Sequence, residues 1–401
     1  MVAFMEAGHD SSMKKKRIAF VYDAIYPYIK GGAEKRYYEI AKRLALREYE
    51  VHLYGMKLWK GPNVVKKEGV YLHGICPARP VYTREGRRSI WQAMYFGIHC
   101  LKLTKEDFDI VDCCGFPYFS LFTCKLVSLI KREKLYSTWL EVWGKDYWQE
   151  YLGKLGTIAY IVEWLSARMP DEIISISKHT TNKLVQELKV NKPIHTIPVG
   201  IDFDEIRKVE ESRFKSDVIY VGRLMDFKNI DMLIAAIGLV KATEPNVRCY
   251  IVGDGPKKRD LVNLTTQLDL QNNITFSRFR ISPQDVYALM KASKVFALPS
   301  MREGFGIVVL EANACGIPVI TLNHKDNAAK GLIEEGENGF VCQPNEKDLA
   351  DSISRVLSAN PNEKLKEACI NSARKYDWNK TMGEIEEVYM TLPPETSPVS
   401  M

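Results

Sequence analysis

Val218-Ile-Tyr-Val-Gly-Arg-Leu-Met-Asp-Phe-Lys-Asn229 begins as an unbroken apolar run, turns at Gly222 and enters a helical pattern near Asn229-Ile230. A strand with no polar alternation suits a parallel sheet covered on both faces. The same rhythm follows at Cys249-Tyr-Ile-Val252, Ile274-Thr-Phe276, Val295-Phe-Ala-Leu298 and Pro318-Val-Ile-Thr321. It also precedes, at Ile18-Ala-Phe-Val-Tyr22, Val51-His-Leu-Tyr54, Ile110-Val111, Tyr136-Ser-Thr-Trp139 and Ile173-Ile174. Helical runs lie between them, including Ala33 to Leu46, Ser89 to Leu103 and Tyr118 to Ile130. Two such series predict an α/β protein with two doubly wound, Rossmann-like domains and a ligand cleft at the carboxyl ends of the strands.

Pro198 and Gly200 punctuate the junction. The expected layout is therefore a disordered tail over 1–13, a first domain over 14–198, a second over 199–375, and a helix over 376–392 returning to the first. The segment after Pro393-Pro394 reads as disordered.

Composition narrows the function. A net charge of +6 over 401 residues is too mild for a nucleic-acid footprint. Nine scattered cysteines without a CxxC pair argue against a disulfide framework or zinc site and favour a reducing cytoplasm. No stretch is long and apolar enough to span a bilayer, and Met1 to Met13 lacks the apolar core of a secretory signal.

The unusual residues follow strands. Arg223 and Lys228 flank a helix start, where dipole, amides and two cations suit a diphosphate. Glu303-Gly-Phe-Gly306 follows the strand ending at Leu298, and its glycines let backbone amides approach a ligand. Glu311, one to two turns into the next helix, can reach back to accept from both hydroxyls of a ribose. Isolated loop cations and a surface acid would be the plain alternative, but the grouping after two strands weakens it.

These pieces resemble the retaining glycosyltransferases of family 4, which have the GT-B fold. The matching residues are Val221-Gly-Arg-Leu224, Lys228-Asn229, Gly253-Asp-Gly-Pro256, Pro299-Ser300, Glu303 with Glu311, Gly316-Ile-Pro318 and Asn338-Gly339, with Gly31-Gly32-Ala33-Glu34 near the start. The resemblance implies transfer of a sugar from a UDP- or GDP-sugar to a glycan, lipid-linked or small-molecule acceptor with retention; Arg223, Lys228 and two helix ends predict diphosphate binding without a metal or other cofactor. The resemblance also implies that Arg223 and Lys228 hold the diphosphate and that Glu303 lies near the transferred sugar. Gly304, Phe305 and Gly306 would offer amides, Gly222 the turn beside the phosphates, and Glu311 the ribose contact. Gly31 and Gly32 would complete the phosphate site from the first domain.

Two departures stand out. Leu140, in Thr138-Trp-Leu-Glu-Val-Trp-Gly144, occupies a position where the family commonly has His. Arg278 stands where it usually has Gly. The pairs Asp107/Asp109 and Asp202/Asp204 could hold a metal but suit turns and caps. Glu141 and Trp143, with Tyr147 and Trp148, are acceptor candidates, since such rings stack on sugars. His324-Lys-Asp-Asn327, after a strand, is a candidate for an auxiliary sugar contact, while His179 and His195 read as structural or solvated. Trp91, Tyr95 and Phe96, preceded by Arg84, Arg87 and Arg88, read either as a packed helix or as a peripheral membrane surface. An epimerase would need a cleft His for proton transfer, and a dehydrogenase would need G-x-G-x-x-G after its first strand. A donor-binding protein with weak or lost transferase activity is the remaining alternative.

Overall fold

The computed structural model describes residues 15–29, 31–83, 88–277, 282–359 and 362–390. The expected tails, Lys30, Arg84, Arg87 and Arg278 lie outside them. The strands are β1 (Arg17–Val21), β2 (Glu50–Lys57), β3 (Val64–Lys67), β4 (Val70–Pro77), β5 (Ile110–Cys114), β6 (Leu135–Trp139), β7 (Glu172–Ser175) and β8 (Ile194–Thr196). They continue with β9 (Ser216–Val221), β10 (Cys249–Val252), β11 (Ile274–Phe276), β12 (Ser293–Leu298), β13 (Val319–Leu322) and β14 (Gly339–Cys342).

The first sheet runs β3-β4-β2-β1-β5-β6-β7-β8 and the second β11-β10-β9-β12-β13-β14. Every described pairing is parallel except β3 on β4. Each sheet reverses its order beside its first strand, which is the doubly wound pattern the apolar runs predicted. Ile18, Phe20, Val218, Ile219, Val295 and Phe296 are fully buried. Packing density divides the chain differently from the sequence. One unit is Met1–Val81 with Ser89–Tyr136, and the other is Tyr82–Arg88 with Ser137–Met401, so the division passes through β6. Sheet membership changes between β8 and β9.

The sequence missed β3, β4, β8 and β14. In β4 the obstacle was Gly74, which reads as a breaker inside a strand. Here it permits close approach: a Cβ at Gly74 would stand 2.5 Å from Cβ of Lys57, next to the register shift at Gly55/Met56. His195 lies within β8, with Nε2 2.9 Å from Oε2 of Glu172. The helix Trp378–Met390 buries Trp378, Met382 and Ile385, and Trp378 packs on Gly200, where a Cβ would meet the indole at 2.5 Å. All nine cysteines are free and buried. Among the described residues no cluster suits a metal, and no helix is long and apolar enough to cross a membrane.

Within the first unit, His52 Nδ1 lies 2.8 Å from His73 Nε2, and His52 Nε2 lies 2.9 Å from Glu50 Oε1, itself paired with Arg17. Burial, then the neighbouring His52 and Arg17, lower His73 to about 4; burial also lowers His52. The folded protein thus takes a proton on His73 only near pH 4, whereas the unfolded chain takes it near 6.5. The contribution of this group to stability is complete above pH 6.5 and is lost as pH drops toward 4. Urea titrations of His73→Asn should show a shallower loss between pH 6.5 and 4.5 than wild type; an unchanged slope would contradict this assignment.

Candidate functional site

The site grows from the loops after β9 and β12. Beyond Val221 the chain turns at Gly222, forms a short 3-10 turn over Asp226–Lys228 and enters the helix Ile230–Lys241. Gly253 and Gly255 support this loop from β10. A Cβ at Gly253 would stand 1.9 Å from the Gly222 carbonyl oxygen, and one at Gly255 2.3 Å from that of Leu224. Two loops lie backbone against backbone, which accounts for both glycine motifs. Arg223 is exposed, its guanidinium 5.4 Å from the Tyr82 ring. Its carbonyl accepts from the Tyr220 hydroxyl at 3.1 Å.

Lys228 turns toward the other loop. Its ammonium donates to Glu303 Oε1 at 2.5 Å, and both side chains are about six-sevenths buried, at 16% and 14% exposure. Glu303 is fixed along its backbone as well: its amide donates to the Asp326 carbonyl at 3.1 Å, and its carbonyl accepts from Ala328 N at 2.9 Å. Gly304 lies against Leu140, where a Cβ would be 2.4 Å from the carbonyl oxygen. Its own carbonyl accepts from Ser177 Oγ at 3.0 Å. The position flagged as unusual in sequence is therefore in contact with the Glu303 loop. Gly306 has φ +94, a left-handed conformation that favours glycine, and precedes the helix Ile307–Ala314. The Phe305 ring is buried 6.1 Å from that of Tyr376, leaving only its backbone to serve a ligand. Glu311 Oε1 accepts from the Tyr287 hydroxyl at 3.0 Å.

A pocket opens beside this pair, lined by Glu303, Gly304, Arg302, Glu141, Trp143 and Lys183 among others. The Arg302 guanidinium sits 3.8 Å from the Tyr147 ring centroid and 4.5 Å from that of Trp143, and pairs with Glu141 Oε2 at 3.0 Å. Trp143 Nε1 donates to Glu141 Oε1 at 2.6 Å. Lys183 donates to Asp326 at 3.0 Å, which lowers that carboxyl against the opposing effect of burial. Sequence reasoning missed Arg302, Lys183 and Glu163, while Asp326 lay in the stretch singled out after β13. Glu163 is fully buried and accepts from Trp143 N, Gly144 N and Trp148 Nε1 at 2.7, 2.9 and 2.9 Å. It anchors the start of the helix Gly144–Leu152 by satisfying otherwise orphaned amides. Only Arg302 carried a signal, its adjacency to Glu303.

The structure thus brings Lys228, Glu303, Gly304, Glu141 and Trp143 together within the second unit. Trp148 is core, not pocket wall. His324 Nδ1 lies 2.7 Å from the Met301 carbonyl and braces the loop. Gly31 and Gly32 stand in the first unit where the helix Gly32–Leu46 begins. A Cβ on Gly31 would meet Glu34 Oε2 at 2.2 Å, while Gly32 has open space. Asp202 precedes the helix Phe203–Lys208 without a side-chain cap. Phe96 is fully buried but Trp91 is 79% exposed, so that helix is packed on one side only.

Known proteins match along most of the chain. The profile described as Glycosyl transferases group 1 matches residues 202–376, and that described as Glycosyltransferase Family 4 matches 30–205. An uncharacterized glycosyltransferase of Haemophilus influenzae is 27% identical over 50% of this chain and 55% of its own length. The gpi3 subunit of a phosphatidylinositol N-acetylglucosaminyltransferase of Schizosaccharomyces pombe is 32% identical over 43% and 37%. The chain thus spans about half or less of these relatives. Spore coat protein SA of Bacillus subtilis is 26% identical over 90% of this chain and 96% of its own. In fold, sucrose-phosphate synthase from Thermosynechococcus elongatus superposes with a TM-score of 0.77 at 18% identity, covering 94% of this chain and 98% of that one. Anabaena HepE in complex with UDP and glucose gives 0.70 at 20%, covering 94% and 100%. With two consecutive profiles spanning residues 30 to 376 and this architecture, the chain belongs to the group 1, family 4 glycosyltransferases with the GT-B fold.

Proposed function

We propose that this protein transfers a glycosyl group from a UDP- or GDP-sugar to a glycan, lipid-linked or small-molecule acceptor with retention at the anomeric carbon. The observation that carries the reading is the Lys228–Glu303 pair, held beside Gly304 at the pocket and just ahead of a helix N-terminus. Breaking the bond from C1 to the phosphate oxygen leaves its electron pair, and negative charge, on the diphosphate. Lys228, Arg223 and the helix ends stabilise that charge. The acceptor oxygen bonds to C1 on the same face, and its proton passes to the departing phosphate, so no separate imidazole base is required. Leu140 is therefore compatible with activity. Supporting the donor class, the HepE neighbour binds UDP and glucose, and a 26% identical Mycolicibacterium smegmatis relative is named as GDP-mannose-dependent.

We extend the reading to diphosphate binding without a metal, through Arg223, Lys228 and the helix ends. The reading extends to a peripheral membrane contact, because Trp91 and Ile98 are 79% and 64% exposed on one helix that leads into Lys102 and Lys105. One assay tests these points: release of nucleoside diphosphate from a panel of UDP- and GDP-sugars in EDTA, with and without lipid extract. Release that EDTA leaves intact and lipid extract stimulates is expected, with NMR of the product showing a retained anomer. No release from any donor, strict dependence on manganese or magnesium, or an inverted product would each refute the corresponding part.

A further inference from the structure

We propose that a groove along the helix Lys178–Gln186 binds the sugar units of a neutral glycan acceptor and leads them to Glu303. The inference rests on the transferase reading above and specifies its acceptor. The groove includes Tyr147, Tyr160, His179, Asn182 and Gln186. It shares Trp143, Tyr147, His179, Lys183 and Asp326 with the pocket at Glu303, so a chain lying in it ends at the reacting centre.

The walls have the chemistry of carbohydrate recognition. Trp143 and Tyr147 meet edge to face at 4.8 Å and 84°, and Tyr151 stacks on Tyr147 at 5.9 Å. Of these, Trp143 and Tyr147 line the groove, and Arg302 packs over both rings from outside the lining, so this aromatic wall is ordered before any ligand arrives, which lowers the entropic cost of binding. Opposite them, His179, Asn182 and Gln186 recur at three- and four-residue spacing, hence on one helix face. Asn182 and Gln186 are exposed, and each amide both donates and accepts, as sugar hydroxyls require. Burial, then Lys183, lower His179 and favour the neutral imidazole, which also does both.

Charge selects among sugars. Lys145, Lys183 and Lys325 face the groove together with Asp146, Glu187 and Asp326. Three cations balance three anions, so no net field favours a phosphorylated or uronic acceptor over a neutral one. The groove is also tied to the catalytic loop. Ser177 caps this helix and holds the Gly304 carbonyl, and Lys183 holds Asp326, whose carbonyl accepts from the Glu303 amide.

The test uses the full chain, with Asn182→Trp and Gln186→Trp filling the groove from exposed positions. Saturation-transfer NMR would follow the methyl glycosides of glucose, galactose, mannose and N-acetylglucosamine, with glucose 6-phosphate and glucuronic acid as charged controls. Calorimetry would follow UDP and GDP. At least one neutral glycoside should bind wild type better than the charged sugars and weaken about tenfold in both variants, while nucleotide binding stays at the wild-type level. Binding of no neutral glycoside, equal binding by the variants, or preference for a charged sugar would overturn the groove and leave the transferase reading standing. Failure of wild type to bind either nucleotide would overturn both.

Discussion

Glu303→Gln should fold normally and lower kcat by about 10²–10³-fold, the cost seen when one preorganised electrostatic contact is removed from a reacting centre. The substitution keeps the shape and leaves an amide oxygen to accept from Lys228, so the loop held by Asp326 and Ala328 should persist. What disappears is the charge. An oxocarbenium-like sugar gains positive charge as the phosphate leaves, and a carboxylate within the pocket stabilises it more in the transition state than in the ground state. The donor KM should therefore change little while kcat falls. Steady-state kinetics with the cognate donor check this, and a wild-type kcat would remove Glu303 from the reaction.

Gly304→Ala should cost about 2–3 kcal/mol of stability and about 10²-fold in kcat/KM. The added methyl would come within 2.4 Å of the Leu140 carbonyl oxygen. The obstacle is backbone at the end of β6 and cannot rotate aside, so the Gly304 loop must move. Movement breaks the bond from Ser177 to the Gly304 carbonyl and displaces Glu303, one residue away. Urea midpoints and kcat/KM measured together decide the matter. Wild-type stability with a wild-type rate would mean that the close approach at Leu140 is not maintained in solution.

Local patterns were legible and distant pairings were not. Unbroken apolar runs such as Val218 to Val221 revealed β9, because a strand buried on both faces carries its own signature. β4 escaped because Gly74 is a breaker in one dimension and a contact with Lys57 in three. β8 escaped because Ile194-His-Thr196 is only half-buried and has no run to detect. Glu303, Lys228 and Arg223 could be picked out as candidates because chemistry gathers after strands in open α/β sheets. The pairing of Lys228 with Glu303 could not, since 75 residues separate them. Glu163 shows the limit more sharply. It sits within the helix Gly156–Ser166, and nothing local announces that it receives the amides of Trp143 and Gly144.

On the proposed function, the loops after β9 and β12 hold a nucleoside diphosphate, with Glu311 on the ribose and Lys228 on the phosphates. Calorimetric titration of UDP and of GDP into wild type, Glu311→Ala and Lys228→Ala tests it most directly. Wild type should bind at least one of the two. Each variant should bind about tenfold or more weakly, because each loses a charge-assisted contact of about 1.5–3 kcal/mol. A wild-type protein that binds neither nucleotide, or variants that bind as tightly as wild type, would contradict the account.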